Sequence, residues 1–204
     1  MAMAVDRYDP RIYWSERAKA QGPDYVGPGG RSDLTAVQGD QLDAAIGRVL
    51  PSVFPHSLIL DFGCGSGRFA STLATYGRQY LGVDISNPGI EYAREVHPGL
   101  RFEWLETDRV PLEDGEVSLL VAITVFQHIV DPEDFDHWTK ELRRVLAPDA
   151  PVLLVDTVFS SRVVSPHMCL RRPEEIASAL GRDVRVSDGT ANLWVGLLAP
   201  PLPL

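Results

Sequence analysis

The sequence predicts an α/β fold: a three-layer sandwich on a seven-stranded, mostly parallel, doubly wound sheet with an antiparallel last strand. Three observations predict it. Residues 57–62 and 117–125 are apolar runs without strict alternation, the pattern of central strands covered on both faces. Strand-like runs alternate with helical patterns, as in a wound parallel sheet. A glycine-rich turn, Gly63-Cys64-Gly65-Ser66-Gly67, leaves the first run and opens a helical stretch.

The elements follow in order. Residues 1–31 form an N-terminal arm beside the core, crowded with Tyr8, Tyr13, Trp14 and Tyr25. Pro10 starts a short helix in it, to about Ala20, and Gly-Pro and Gly-Gly pairs then break the chain. Such an arm is a candidate lid over a cleft, or a cap on one sheet edge. Residues 32–204 form the main domain. Ser32 or Asp33 caps a helix to about Leu50, which Pro51 ends. The opening strand is 57–62, and a helix runs from Arg68 to Tyr76. Residues 80–84 are the second strand. Ser86 or Asn87 with Pro88 begins a helix to about Val96. Residues 100–105 and 117–125 are strands three and four. Asp131-Pro132-Glu133-Asp134 is a helix start, with a cap, a proline and acids in the first turn. Residues 151–155 are strand five. Arg172-Pro173 opens a short helix that Gly181 ends. Residues 184–187 and 193–198, separated by Asp188-Gly189, read as a final antiparallel pair.

Composition limits the partners. The chain has 204 residues, 45% of them apolar and 23% charged, the balance of a globular domain. The formal net charge is −9, and the densest basic cluster is Arg171-Arg172. A protein that grips nucleic acid through phosphates carries a basic stripe, so nucleic acid is disfavoured and a small-molecule partner fits better. Cys64 and Cys169 suggest neither a disulfide framework nor a zinc site, and no metal is expected. The first ten residues lack an apolar core, and the longest apolar run is too short to span a bilayer. A cytoplasmic, soluble protein is expected. Oligomeric state is not legible.

The glycine turn alone does not name its ligand. The dinucleotide fingerprint needs a glycine one position later, where Arg68 stands. Asp84, ending the second strand, can accept hydrogen bonds from ribose hydroxyls. Turn and acid together point to an adenosine-containing ligand at the carboxyl edge of the sheet. Asp61 could serve that ligand or brace the turn.

Several stretches resemble the class I S-adenosylmethionine-dependent methyltransferases. They are Leu60-Asp61-Phe62-Gly63-Cys64-Gly65-Ser66-Gly67, Gly82-Val83-Asp84-Ile85-Ser86, Thr107-Asp108 with Val110-Pro111-Leu112, 117–129, and Glu141 through Pro148. The resemblance runs from about residue 58 to 156. It implies S-adenosyl-L-methionine as cofactor, held by Asp61, Gly63, Cys64, Gly65, Gly67, Asp84, Ile85, Thr107, Asp108 and Arg109. Asp61 would lie near the cofactor's amino group and Asp84 would hold the ribose hydroxyls. Ile85 would pack on the adenine, whose amino group Asp108 would bond, with Arg109 main chain beside it. Carboxylates suit a cationic sulfonium and ammonium better than a pyrophosphate.

The activity expected is in-line methyl transfer to a small-molecule acceptor. His128, just past strand four, is the candidate catalytic base, or else a histidine bonding backbone. The alternatives are a nicotinamide-dependent oxidoreductase and a non-catalytic cofactor-binding scaffold. The acceptor and the atom methylated are not legible.

Overall fold

The computed structural model describes residues 8–24, 44, 54–157, 164–190 and 193–201. Apart from position 44, the helix expected over 32–50 lies outside them, as does the arm's Tyr25.

Strands β1 (Phe54–Phe62), β2 (Gly77–Asp84), β3 (Arg101–Trp104), β4 (Leu119–Ile123) and β5 (Val152–Thr157) are parallel. A short ribbon, β6 (Val164–Ser165) with β7 (Met168–Cys169), follows β5 and was not expected from the sequence. β8 (Asp183–Thr190) and β9 (Leu193–Ala199) complete the sheet in the order β3-β2-β1-β4-β5-β9-β8. β9 is antiparallel to both its neighbours, as expected of the last strand. The chain winds outward from β1 to β3, then crosses to β4 and winds the other way. The carboxyl ends of β1 and β4 therefore flank the reversal point, where open α/β sheets hold their ligands.

Helices α1 (Pro10–Gln21), α2 (Ala70–Leu73), α3 (Asn87–Val96), α4 (Pro132–Val145) and α5 (Pro173–Ala179) surround the sheet, with 3-10 turns at Gly22–Asp24 and Phe126–His128. Strand alternation sends side chains into two cores. Leu60, Phe62, Leu120 and Leu154 meet Trp138, Leu142 and Val145 of α4 and Ile176 of α5. Ile59, Leu119, Val121 and Leu153 meet Ala70 and Leu73 of α2 and Ile90 and Ala93 of α3. Each fully buried leucine or isoleucine contributes about 1.5–3 kcal/mol. This is the three-layer arrangement expected of central strands apolar on both faces.

The caps are local and follow the sequence. Asp9 accepts from the Arg11 and Ile12 N–H groups, Ser86 from Gly89 and Asp131 from Glu133. Each cap contributes about 1 kcal/mol.

Besides the ribbon, three elements differ from expectation. Strand four, expected over 117–125, runs only over Leu119–Ile123, because Thr124 takes a φ of 56° and Val125 caps the 3-10 turn. The helix after the glycine turn is confined to Ala70–Leu73, because Gly67 takes a left-handed φ of 80° and tight turn bonds occupy Cys64 to Ala70. Asp188-Gly189 does not turn. β8 runs through it, with Asp188 opposite Val195 and Gly189 opposite Trp194, so ladder pairing overrides the local signal.

Candidate active site

The glycine turn is tied to the end of β2. The Gly63 and Cys64 N–H groups both donate to the Val83 carbonyl, at 2.8 and 3.1 Å. The Gly65 N–H donates to Asp84 Oδ2 at 2.8 Å. Gly63 needs to be glycine twice over: its φ is +75°, and a Cβ there would lie 2.4 Å from Val125 Cγ2 of the β4 edge. Cys64 tucks its sulfur beside Gly82, where any Cβ would meet it at 2.9 Å. Burial pushes the thiol pKa well up, so Cys64 is a packing residue whose main chain lines the turn.

Beneath the turn lie two buried carboxylates. Asp61 is 3% exposed and accepts from the Tyr80 hydroxyl at 2.7 Å. Burial raises its pKa to about 7 against the lowering effect of the Tyr80 bond, and the Asp84 charge adds to the rise. Asp84 is 8% exposed and also accepts from the Ser86 N–H at 2.8 Å. Burial raises its pKa as well, opposed by those backbone bonds. Among the described residues no lysine or arginine pairs with either carboxylate. Two adjacent buried acids without a cation suit a ligand carrying positive charge. The residues therefore fit a sulfonium cofactor with an amino group. Asp61 braces β1 against β2 through the Tyr80 hydroxyl, whereas the turn's Gly65 N–H is held by Asp84, so the turn-bracing role considered for Asp61 is carried by Asp84.

Further along the edge, Ile85 packs against the first core, and its carbonyl accepts from the Trp104 indole at 3.1 Å. Thr107, Asp108 and Arg109 are exposed. The Asp108 carboxylate pairs with Arg11 of α1 at 2.6 Å, and Arg11 also donates to the Leu105 carbonyl. The His137 ring bonds the Asp108 carbonyl at 2.6 Å. Asp108 thus follows β3, whose last residue Trp104 is the register partner of Asp84, and its carboxylate is engaged by the N-terminal helix.

His128 closes the other side, in the 3-10 turn after β4. The turn is entered through Thr124, a non-glycine residue with φ of 56°, a conformation that costs about 1–2 kcal/mol. His128 Nδ1 lies 2.9 Å from the His167 carbonyl, and Nε2 lies 3.0 Å from Gln127 Nε2. Burial lowers the His128 pKa, which the His167 carbonyl partly offsets and the positive charge of Arg17 reinforces. α1 covers this region. Trp14 sets an edge against the His128 ring at 4.8 Å, Tyr13 stacks on His167 at 5.5 Å, and the Tyr8 hydroxyl donates to the His128 carbonyl at 3.4 Å. Ser66 of the glycine turn donates to the Pro23 carbonyl at 2.6 Å. Arg171 donates to the Phe126 carbonyl and lies 4.0 Å from the Phe135 ring centre.

Several residues at the site were not singled out from the sequence. Asp156, 4% exposed, is the next-to-last residue of β5 and accepts from the Gln127 and Thr157 N–H groups. Burial raises its pKa to about 7. An acid at the carboxyl end of a parallel strand was the signal that marked Asp84, and it marks Asp156 as well. Tyr80 shares a sheet face with Ile59 and therefore with Asp61, which parity along β1 shows. Arg11 carries no sequence signal.

Residues 59–149 match the family model described as a methyltransferase domain. The bifunctional O-antigen chain terminator methyltransferase/kinase of Escherichia coli is 32% identical over 61% of this chain and 18% of its own length. The norajmaline N-methyltransferase of Rauvolfia serpentina is 30% identical over 61% of this chain and 43% of its own. The chain thus spans less than half the length of these two relatives. The solved structure of a Pyrococcus horikoshii protein superposes with a TM-score of 0.71 at 17% identity, covering 93% of this chain and 99% of that one, a likeness of fold.

Proposed function

We propose, from the match of residues 59–149 to a methyltransferase domain, that the chain is a class I S-adenosylmethionine-dependent methyltransferase acting on a small-molecule acceptor. The observation that carries the reading is the pair of buried carboxylates, Asp61 and Asp84, beneath a glycine turn with no cation paired to them among the described residues. The cofactor supplies, when bound, a methyl group already activated on a sulfonium.

The chain's own work is then to bind, orient and exclude water. Asp61 and the turn from Gly63 to Gly67 would hold the amino-acid portion. Asp84 and Ile85 would hold the ribose and adenine, with Asp108 and the main chain of Thr107 and Arg109 beside the base. Helix α1, which already spans the edge from Asp108 to His128, is read as the lid. Where the acceptor must lose a proton, His128 is the group placed to take it, and its lowered pKa keeps it unprotonated at neutral pH. A small molecule as acceptor agrees with a relative named for norajmaline and with the net charge of −9.

We place the chain in the cytoplasm because Cys64 and Cys169 are free thiols; no helix among the described residues is long and apolar enough to cross a membrane. Mass spectrometry of the small molecules that co-purify with the chain tests the function. S-adenosylmethionine or S-adenosylhomocysteine is expected, and a nicotinamide nucleotide in its place would overturn the reading.

A further inference from the structure

A chain of hydrogen bonds beside the candidate base has a fixed direction. The Thr157 N–H, which can only donate, is shared between Asp156 Oδ1 at 3.0 Å and Gln127 Oε1 at 3.1 Å. The Gln127 amide nitrogen must then face His128 Nε2, 3.0 Å away, and donate to it. At the far side of the ring the His167 carbonyl, which can only accept, faces Nδ1 at 2.9 Å. A donor-only group at one end and an acceptor-only group at the other leave one consistent arrangement. The His128 proton sits on Nδ1, and Nε2 holds a lone pair. Flipping the Gln127 amide would set its NH2 against the Thr157 N–H. Protonating Nε2 would set N–H against N–H. Gln127 is itself held from both sides. It is 7% exposed, and its N–H donates to Asp156 Oδ2 at 3.1 Å.

We infer that Gln127 is a positioning residue that fixes His128 as the neutral Nδ1–H tautomer, so that Nε2 presents its lone pair as the acceptor for a substrate proton. The role in catalysis rests on the methyltransferase reading; the tautomer stands apart from it. An O–H or N–H of the methyl acceptor would take the place of the Gln127 amide at Nε2. As the acceptor's bond to the methyl formed, the methyl–sulfonium bond would break with its electron pair left on sulfur, and the acceptor's proton would pass to Nε2, making the ring an imidazolium. The His167 carbonyl at Nδ1 selects the tautomer together with Gln127 at Nε2, and charged and titratable groups lie around them. Arg17 and Tyr8 approach from α1 and its approach, His167 from the loop before β7, and Asp156 and Arg171 from behind Gln127 and Phe126. Nε2 faces the Gln127 amide nitrogen.

Nitrogen-15 NMR of the histidine-labelled full chain reads the tautomer directly, with the His128 signals identified by their loss in His128→Gln. The expected spectrum shows a pyrrole-type Nδ1 and a pyridine-type Nε2, with a titration midpoint below that of an exposed histidine. In Gln127→Glu a carboxylate would accept from a protonated Nε2, and the midpoint is expected to rise by about one pH unit or more. Gln127→Met, which keeps length and loses the donor, is expected to let the Nε2–H form appear. An Nε2–H tautomer in the native chain, or unchanged His128 signals in both variants, would overturn the inference. Should neither variant fold, the native spectrum decides. The same samples titrated with S-adenosylhomocysteine separate the two questions: absence of binding counts against the methyltransferase reading and leaves the tautomer result standing.

Discussion

The Tyr80 hydroxyl donates to Asp61 Oδ2 over 2.7 Å, from a strand position one step diagonal to the Asp61 register partner Gly82. A buried acid of β1 is thereby held by the neighbouring strand. Tyr80→Phe is expected to destabilise the chain by about 1.5–3 kcal/mol at pH 8, where Asp61 is ionised, as for a hydrogen bond to a charged group. The loss should shrink near pH 5, where the carboxyl is protonated. Urea denaturation at the two pH values measures both.

The raised acid pKa values set a direction for cofactor binding. Asp61 has a pKa of about 7 when folded and an ordinary value of about 3.9 when unfolded. Between those values the folded chain holds the extra proton, so its stability falls as pH rises through the window, and Asp156 acts the same way. A cation brought beside Asp61 lowers its pKa. Binding of S-adenosylhomocysteine, which keeps the amino group, is therefore expected to release protons near pH 6.5 and to tighten as pH rises through 7. Calorimetry in buffers of different ionisation enthalpy measures the release, and proton uptake would contradict it.

Gly63 is held by conformation and by space. Gly63→Ala is expected to cost about 1–2 kcal/mol for the left-handed φ, and about 1–3 kcal/mol more for the overlap with Val125. In a Val125→Ala background the second part should be recovered. Denaturation of the single and double variants tests this, and strict additivity would place the cost elsewhere.

Arg11 fastens α1 to the edge through Asp108 and the Leu105 carbonyl. The pair is exposed, 32% and 69%, so its loss should cost less than about 1 kcal/mol. Arg11→Ala is still expected to speed amide exchange across Pro10–Gln21 while leaving α4 unchanged. Equal exchange in α1 would show that the Trp14 and Tyr13 contacts alone hold it.

What the sequence made legible was local. The glycine turn, the strand-end acid Asp84 and the caps at Ser86 and Asp131 each depend on a few neighbouring residues, and each stands where its pattern put it. What was not legible depends on strands and loops distant in the chain. Asp61 meets Tyr80 through the β1–β2 register, Gln127 meets Thr157 across β4 and β5, and Arg11 reaches Asp108 over 97 positions. Asp188-Gly189 failed as a turn signal for the same reason, since β9 pairing decides its conformation. At the site, the residues expected to hold cofactor came from local patterns and a family resemblance. The bond network that sets the protonation of His128 was not legible.

The central claim is that Asp61, the glycine turn and Asp84 form a site for a sulfonium cofactor. Titration calorimetry of S-adenosylhomocysteine into the native chain and into Asp84→Asn tests it most directly, since asparagine keeps an acceptor for the Gly65 or Ser86 N–H while removing the charge. The native chain is expected to bind it, and the variant to bind about 10–150-fold more weakly, the equivalent of roughly 1.5–3 kcal/mol. Equal affinity in the two, or tighter binding of NADH by the native chain, would contradict the account.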